Sequence, residues 1–171
     1  MVAHEYCGAC AFDGGRYDDD ALLDGLRSLA PRWATLLSGA GKDVRTRPAP
    51  GVWSAIEYAA HSRDITALHV FGVEQALTRD EPSFPAIDGD ALIAAAATTY
   101  ENAEPDDVVH ALATEASRLA DLADGAGPEA WTRGLTIGGE RSDVRRLLEH
   151  ALHDSVHHLA DVERGFALLR A

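Results

Sequence analysis

The chain has 171 residues, enough for one domain with a substantial core. Fifteen Lys and Arg against 28 Asp and Glu give a formal charge of −13, which repels phosphate backbones and anionic headgroups and argues against nucleic-acid or acidic-membrane partners. No apolar run approaches the ~20 residues that span a bilayer, and the start Met1-Val2-Ala3-His4-Glu5-Tyr6-Cys7 lacks the basic and apolar regions of a signal peptide, so a cytoplasmic protein is expected.

Residues 1–18 read as an N-terminal arm and residues 19–171 as a helical domain, rich in alanine and poor in β-branched runs. A first helix fits Asp19 to about Ser38, with Leu22, Leu23, Leu26, Leu29, Trp33, Leu36 and Leu37 on one face. Pro31 falls inside it and should kink or divide it. After a loop from Gly39 to Gly51, Ser54-Ala55-Ile56-Glu57 makes a capping box for a second helix that runs to about Arg79. A third helix fits Asp90 to Asn102, and Pro105 suits the first turn of a fourth, Asp106 to Asp124. Trp131 to Gly139 reads as irregular or briefly extended. Ser142 is placed to cap the last and longest helix, which continues towards Leu169. Long amphipathic helices joined by short loops point to an all-α fold, a four-helix bundle with an N-terminal arm and extra short helices.

Four of the eight histidines crowd into the last helix, as His150, His153, His157 and His158. Histidine is the commonest metal ligand and the usual acid–base group near neutral pH. Leu148, Leu152, Ser155, Leu159, Val162, Phe166 and Leu169 are spaced as one continuous core stripe. His158 lies beside that stripe and Asp154 one step further round, whereas His150, His153 and His157 fall on a face that looks like solvent. Two i,i+4 pairs overlap here, His153/His157 and Asp154/His158. Either could converge on an ion, with Cβ atoms roughly 6 Å apart. The inward pair is favoured, because a cation would offset the cost of burying its carboxylate.

On the second helix, Tyr58, His61, Ile65, Leu68 and Gly72 form the expected inward stripe, and His61 is its only imidazole. His61, Asp154 and His158 would make a three-ligand N/O site with an open position, the mark of a catalytic metal. The plainer reading is a hydrogen-bonded core histidine at His61 and a solvated polar face on the last helix.

At these residues the sequence resembles the DinB/YfiT-like superfamily of small four-helix-bundle metalloproteins. The resemblance rests on Gly51-Val52-Trp53-Ser54 with Glu57-Tyr58-Ala59-Ala60-His61-Ser62-Arg63-Asp64, and on Leu152-His153-Asp154-Ser155-Val156-His157-His158-Leu159-Ala160-Asp161. It covers nearly all of the chain beyond about residue 18. It implies one ligand from the second helix, here His61, and a pair four apart on the last, which falls on Asp154 and His158. Most members resembling this pattern carry His/His or Glu/His there, so the shorter aspartate is a departure, with His153/His157 as the alternative pair. The resemblance further implies a divalent metal, zinc or nickel, and a transferase or isomerase using a low-molecular-weight thiol of the mycothiol type against a small electrophile. Non-catalytic metal binding and metal-dependent hydrolysis are the alternatives, and Glu57 is a base for the latter only if its cap role leaves it free.

Cys7-Gly8-Ala9-Cys10 has the spacing of half a zinc ribbon or of a redox dithiol. His4 could add a third ligand and the bundle a fourth; the alternative is a pair of reduced thiols in a mobile arm. Trp33, Trp53 and Trp131 are expected in the core or a pocket wall, and His110 on the surface. An acidic bundle of this size is compatible with a homodimer, although no exposed apolar stripe marks an interface.

Overall fold

The structure, a computed structural model, describes residues 2–171. The first long apolar segment divides into α1 (Asp19–Arg27) and α2 (Leu29–Ala40). The break comes at Ser28, three residues before the proline expected to cause it. Pro31 instead occupies the first turn of α2, where a missing N–H forfeits no helical hydrogen bond. Next come α3 (Ala55–Thr78), α4 (Gly89–Glu101), α5 (Pro105–Ala126) and α6 (Val144–Leu169). The cap of α6 is Asp143, whose carboxylate accepts from Arg146 N–H at 2.9 Å. Ser142 cannot take that role, because it is paired with Leu135 in a hairpin of β4 (Gly134–Ile137) and β5 (Glu140–Asp143). That hairpin turns through Gly138 and Gly139, both with positive φ (61° and 87°), as a two-residue loop requires. The short β3 (Ser83–Phe84) pairs with β4 in parallel.

Four rods make the bundle: α1 with α2, α3, α5 and α6. Each of α3 and the broken rod packs against both α5 and α6, and α4 lies on α3. Two apolar clusters fill the interior. Leu22, Leu26, Val73, Leu119 and Leu148 anchor one, and Trp33, Ile56, Leu112, Leu159 and Val162 anchor the other. The α6 stripe is buried as expected at Leu148, Leu152, Ser155, Leu159, Val162 and Phe166, whereas its last member, Leu169 at the helix end, is only half-buried. Between the clusters lies a polar belt of buried Ser62, Thr66 and Ser155. Within it Trp33 Nε1–H donates to Ser155 Oγ at 2.8 Å, tying the first rod to α6.

Helices α3 and α6 run antiparallel, with His61 beside His158, the His69 ring centred 5.2 Å from that of His150, and Gly72 against Leu147. A Cβ on Gly72 would stand 3.0 Å from Leu147 Cδ1, so the glycine permits the close approach of the two rods. His69 is a core histidine: its Nδ1–H donates to Ile65 O at 2.7 Å, and burial lowers its pKa to about 4.

Two predictions follow from this interior. Ser155→Ala orphans the buried Trp33 N–H and should cost about 1–3 kcal/mol in urea unfolding; a loss under about 0.5 kcal/mol would show that the bond carries no weight. His69 is neutral when folded and takes a proton near pH 6.5 when unfolded, so the stability it contributes is complete above pH 6.5. That contribution drains as pH falls towards 4, to a limit of about 3 kcal/mol. His69→Gln in chelator-treated protein should flatten stability against pH between those values, and an unchanged slope would refute the assignment.

Candidate metal centre

The polar belt opens on the groove between α3 and α6. Here the α3 stripe expected to face the core behaves differently: Tyr58, His61, Ile65 and Leu68 are half-buried groove residues. The core positions of α3 are instead Ile56, Ala59, Ala60, Val70 and Val73. A stripe that lines a groove lies a fraction of a turn from the one that fills the core, so periodicity alone blurs them.

His61, Asp154 and His158 meet in this groove, each offering a ligand atom within 4.8 Å of the others. Asp154 Oδ1 lies 3.5 Å from His158 Nε2 and 3.6 Å from His61 Nε2. Two N/O ligands on a tetrahedral ion with bonds of about 2.0–2.1 Å stand roughly 3.3 Å apart, so a small inward movement would suffice. Among the described residues, nothing hydrogen-bonds the buried Asp154 Oδ2. An orphaned carboxylate oxygen beside two convergent imidazoles is the donor set that a divalent cation satisfies, so the residues present fit a metal.

Burial opposes ionisation of Asp154, but the imidazoles of His158 and His61 outweigh it and hold the carboxyl well below its usual range. Burial also works against a charged His158, yet Asp154 and Asp161 together raise its pKa. His158 Nδ1–H donates to Asp161 Oδ2 at 2.9 Å, which turns Nε2 towards Asp154. A carboxylate behind an imidazole is the usual orienting partner of a metal-binding histidine. The sequence carried one signal for Asp161, its i+3 spacing from His158.

Aromatic rings wall the site. Trp53 packs 5.4 Å from His61, and Tyr58 lies 4.9 Å from His158. Tyr100, from α4, also faces Trp53 and His61. Trp33 and Trp131 are core residues and His110 is exposed, as read from the sequence. Glu57 is committed elsewhere: it accepts from Ser54 N–H and hydroxyl at 2.9 and 2.7 Å and pairs with Arg47. Burial resists its charge, but those partners bring its pKa below the ordinary value. An apolar cavity of about 570 Å³ continues along the same groove, starting at Ile65 and His150, one helical turn from His61 and Asp154, and bounded by Phe84 and Ile137.

The face of α6 expected to meet solvent is covered in part. Residues 4–17 lie across it, with a small hairpin of β1 (Tyr6–Cys7) and β2 (Phe12–Asp13). The side chain of His153 is only 14% exposed beneath it, in contact with Phe12 at 5.1 Å, while His150 remains 48% exposed. Sequence periodicity on α6 had no information about a segment some 145 residues earlier in the chain. His4 does not join Cys7 and Cys10, because its Nδ1–H donates to Glu149 Oε1 at 2.7 Å.

A search of the curated proteins returns no match. Among solved structures the chain is similar to YfiT from Bacillus subtilis, described as a probable metal-dependent hydrolase with an unusual four-helix bundle topology. The two share 17% identity over 86% of this chain and 85% of that one, with a TM-score of 0.76, a likeness of fold. The sequence model of the DinB superfamily matches residues 22–162, which takes in all of α2, α3 and α5, most of α1 and α6, and all three groove residues. The chain belongs to the DinB superfamily.

Proposed function

We propose that His61, Asp154 and His158 hold a divalent cation, zinc or nickel, and that the centre serves a transferase using a low-molecular-weight thiol against a small electrophile. The observation that carries the metal reading is the orphaned Asp154 Oδ2 beside two imidazoles whose Nε2 atoms converge on Oδ1. Imidazole and carboxylate together suit zinc or nickel better than calcium or magnesium. Three protein ligands leave a position for an exogenous one. The ion, when bound, supplies Lewis acidity there and acidifies the thiol or water that occupies it.

The surrounding side chains favour the thiol. Water attack on a substrate profits from a nearby free base, and the local carboxylates are engaged: Glu57 with Ser54 and Arg47, and Asp161 with His158 and Arg164. Asp161 orients His158, Trp53 and Tyr58 restrict water, and the adjoining apolar cavity offers room for a small apolar electrophile. Hydrolysis is the second reading, supported by the description of YfiT.

Added zinc should raise the melting temperature of the wild-type protein and of Cys7→Ser/Cys10→Ser. In the latter background His61→Ala should abolish the shift, whereas equal melting of Cys7→Ser/Cys10→Ser with and without zinc would sink the metal reading. Asp161→Asn should weaken zinc binding at this centre by about 10–100-fold, measured by competition with a chromophoric chelator; unchanged affinity would remove its orienting role. In cobalt-loaded Cys7→Ser/Cys10→Ser protein, a small thiol should create a sulfur-to-cobalt charge-transfer band. No band, together with ester or amide hydrolysis that needs no thiol, would replace transfer with hydrolysis.

A further inference from the structure

A second cluster of metal-ligating side chains lies on the other side of α6. Cys7 ends β1 and Cys10 lies in the turn of the β1–β2 hairpin, and His153 and His157 lie one turn apart on the helix beneath it. One ligand atom from each of the four falls within 4.8 Å of the other three. Cys7 Sγ stands 3.7 Å from His157 Nδ1. Bonds of about 2.3 Å to sulfur and 2.0–2.1 Å to nitrogen place tetrahedral S and N ligands roughly 3.6 Å apart. Both cysteines are free thiols.

We propose that Cys7, Cys10, His153 and His157 form a closed Cys2His2 zinc site that fastens the N-terminal hairpin to α6. The site is separate from the groove centre and does not depend on it, since the two draw on alternate i,i+4 pairs of the same helix.

Both histidines are prepared for this role. His153 is mostly buried, and among the described residues neither of its ring nitrogens has a hydrogen-bond partner. Its Nδ1 stands 3.0 Å from Glu5 Oε1 in poor alignment, which leaves Nε2 for an ion and a carboxylate behind the ring. His157 repeats the arrangement with its nitrogens exchanged: Nδ1 faces Cys7, and Nε2 approaches Asp161 Oδ2 at 3.6 Å. At the tip Ala11 has φ of 58°, a left-handed conformation that a residue with a side chain adopts only when its surroundings enforce it. Binding zinc displaces both thiol protons to solvent and forms two Zn–S and two Zn–N bonds, with no redox change.

A rival set, Glu5, His150 and His153, also lies within 4.8 Å. Glu5 is already paired with Arg146 and His150, so a cation there would meet a resident guanidinium. With four protein ligands the Cys2His2 site has no vacancy, which makes it structural. Its effect is to lock the arm over His153 and fix the packing of Phe12 on the bundle.

The test uses the full chain with zinc or cobalt alone as probe. Reduced wild-type protein should bind two equivalents of zinc, and cobalt should give thiolate-to-metal charge-transfer bands. His61→Ala/His158→Ala should keep those bands and one equivalent of zinc, so failure of the groove centre is read separately. His153→Ala/His157→Ala should lose the bands. Because that variant can lose its fold, iodoacetamide labelling of wild-type thiols gives a second readout: zinc should slow it at least tenfold and a chelator restore it. Absence of charge-transfer bands in reduced wild-type protein, bands unchanged in His153→Ala/His157→Ala, or thiols labelled equally with and without zinc would overturn the proposal.

Discussion

The burial of one carboxylate organises the functional half of this protein. Asp154 sits at the interface of α3 and α6, ionised against the cost of burial because two imidazoles face it, with its second oxygen unpaired. An isolated charge in that position would be expensive. The antiparallel pairing of the two rods brings His61 to it from α3, and the helical repeat brings His158 from α6. Asp161 sets the ring of His158, and Trp53 and Tyr58 close the groove around the cluster. The belt of Ser62, Thr66 and Ser155 between the two apolar clusters runs at the same level. Stability is concentrated above and below this layer, and polar chemistry within it.

The N-terminal segment adds a second layer of organisation on the opposite side of α6. It is held by a buried polar network rather than by a large apolar face. Glu149 is fully buried and accepts from His4, Arg145 and the backbone N–H of Glu5. Glu5 in turn pairs with Arg146 and His150. Gly14 completes the fit, since a Cβ there would stand 2.5 Å from Glu149 Oε2. Such a network is costly when any member is missing and specific when all are present. It delivers Cys7 and Cys10 to His153 and His157, and Asp161 stands behind both His157 and His158. One helix thus carries two neighbouring i,i+4 pairs of potential ligands with a shared carboxylate between them.

Several local features misled a reading by pattern. Pro31 looks like a break, but prolines are accommodated in a first helical turn, and the division falls at Ser28. Ser142 looks like a cap, but strand pairing with Leu135 claims it and Asp143 caps instead. The stripe of Tyr58, His61, Ile65 and Leu68 looks like core and is the wall of a groove. For Ser142, strand pairing outweighed a local capping preference of about 1 kcal/mol.

The sequence by itself determined the helical bundle, the core stripe of α6 and the rotational offset between Asp154/His158 and His153/His157, because these follow from a 3.6-residue repeat. It also carried the short motifs that place the chain in its superfamily. Only the tertiary structure decided that His61 meets Asp154, that Glu57 is consumed by its cap and Arg47, and that the histidine-rich face of α6 lies under the arm. Those contacts join residues up to about 150 positions apart. Helical periodicity fixes the direction of a side chain around its own axis, while the packing of rods and the path of the arm fix what that side chain meets.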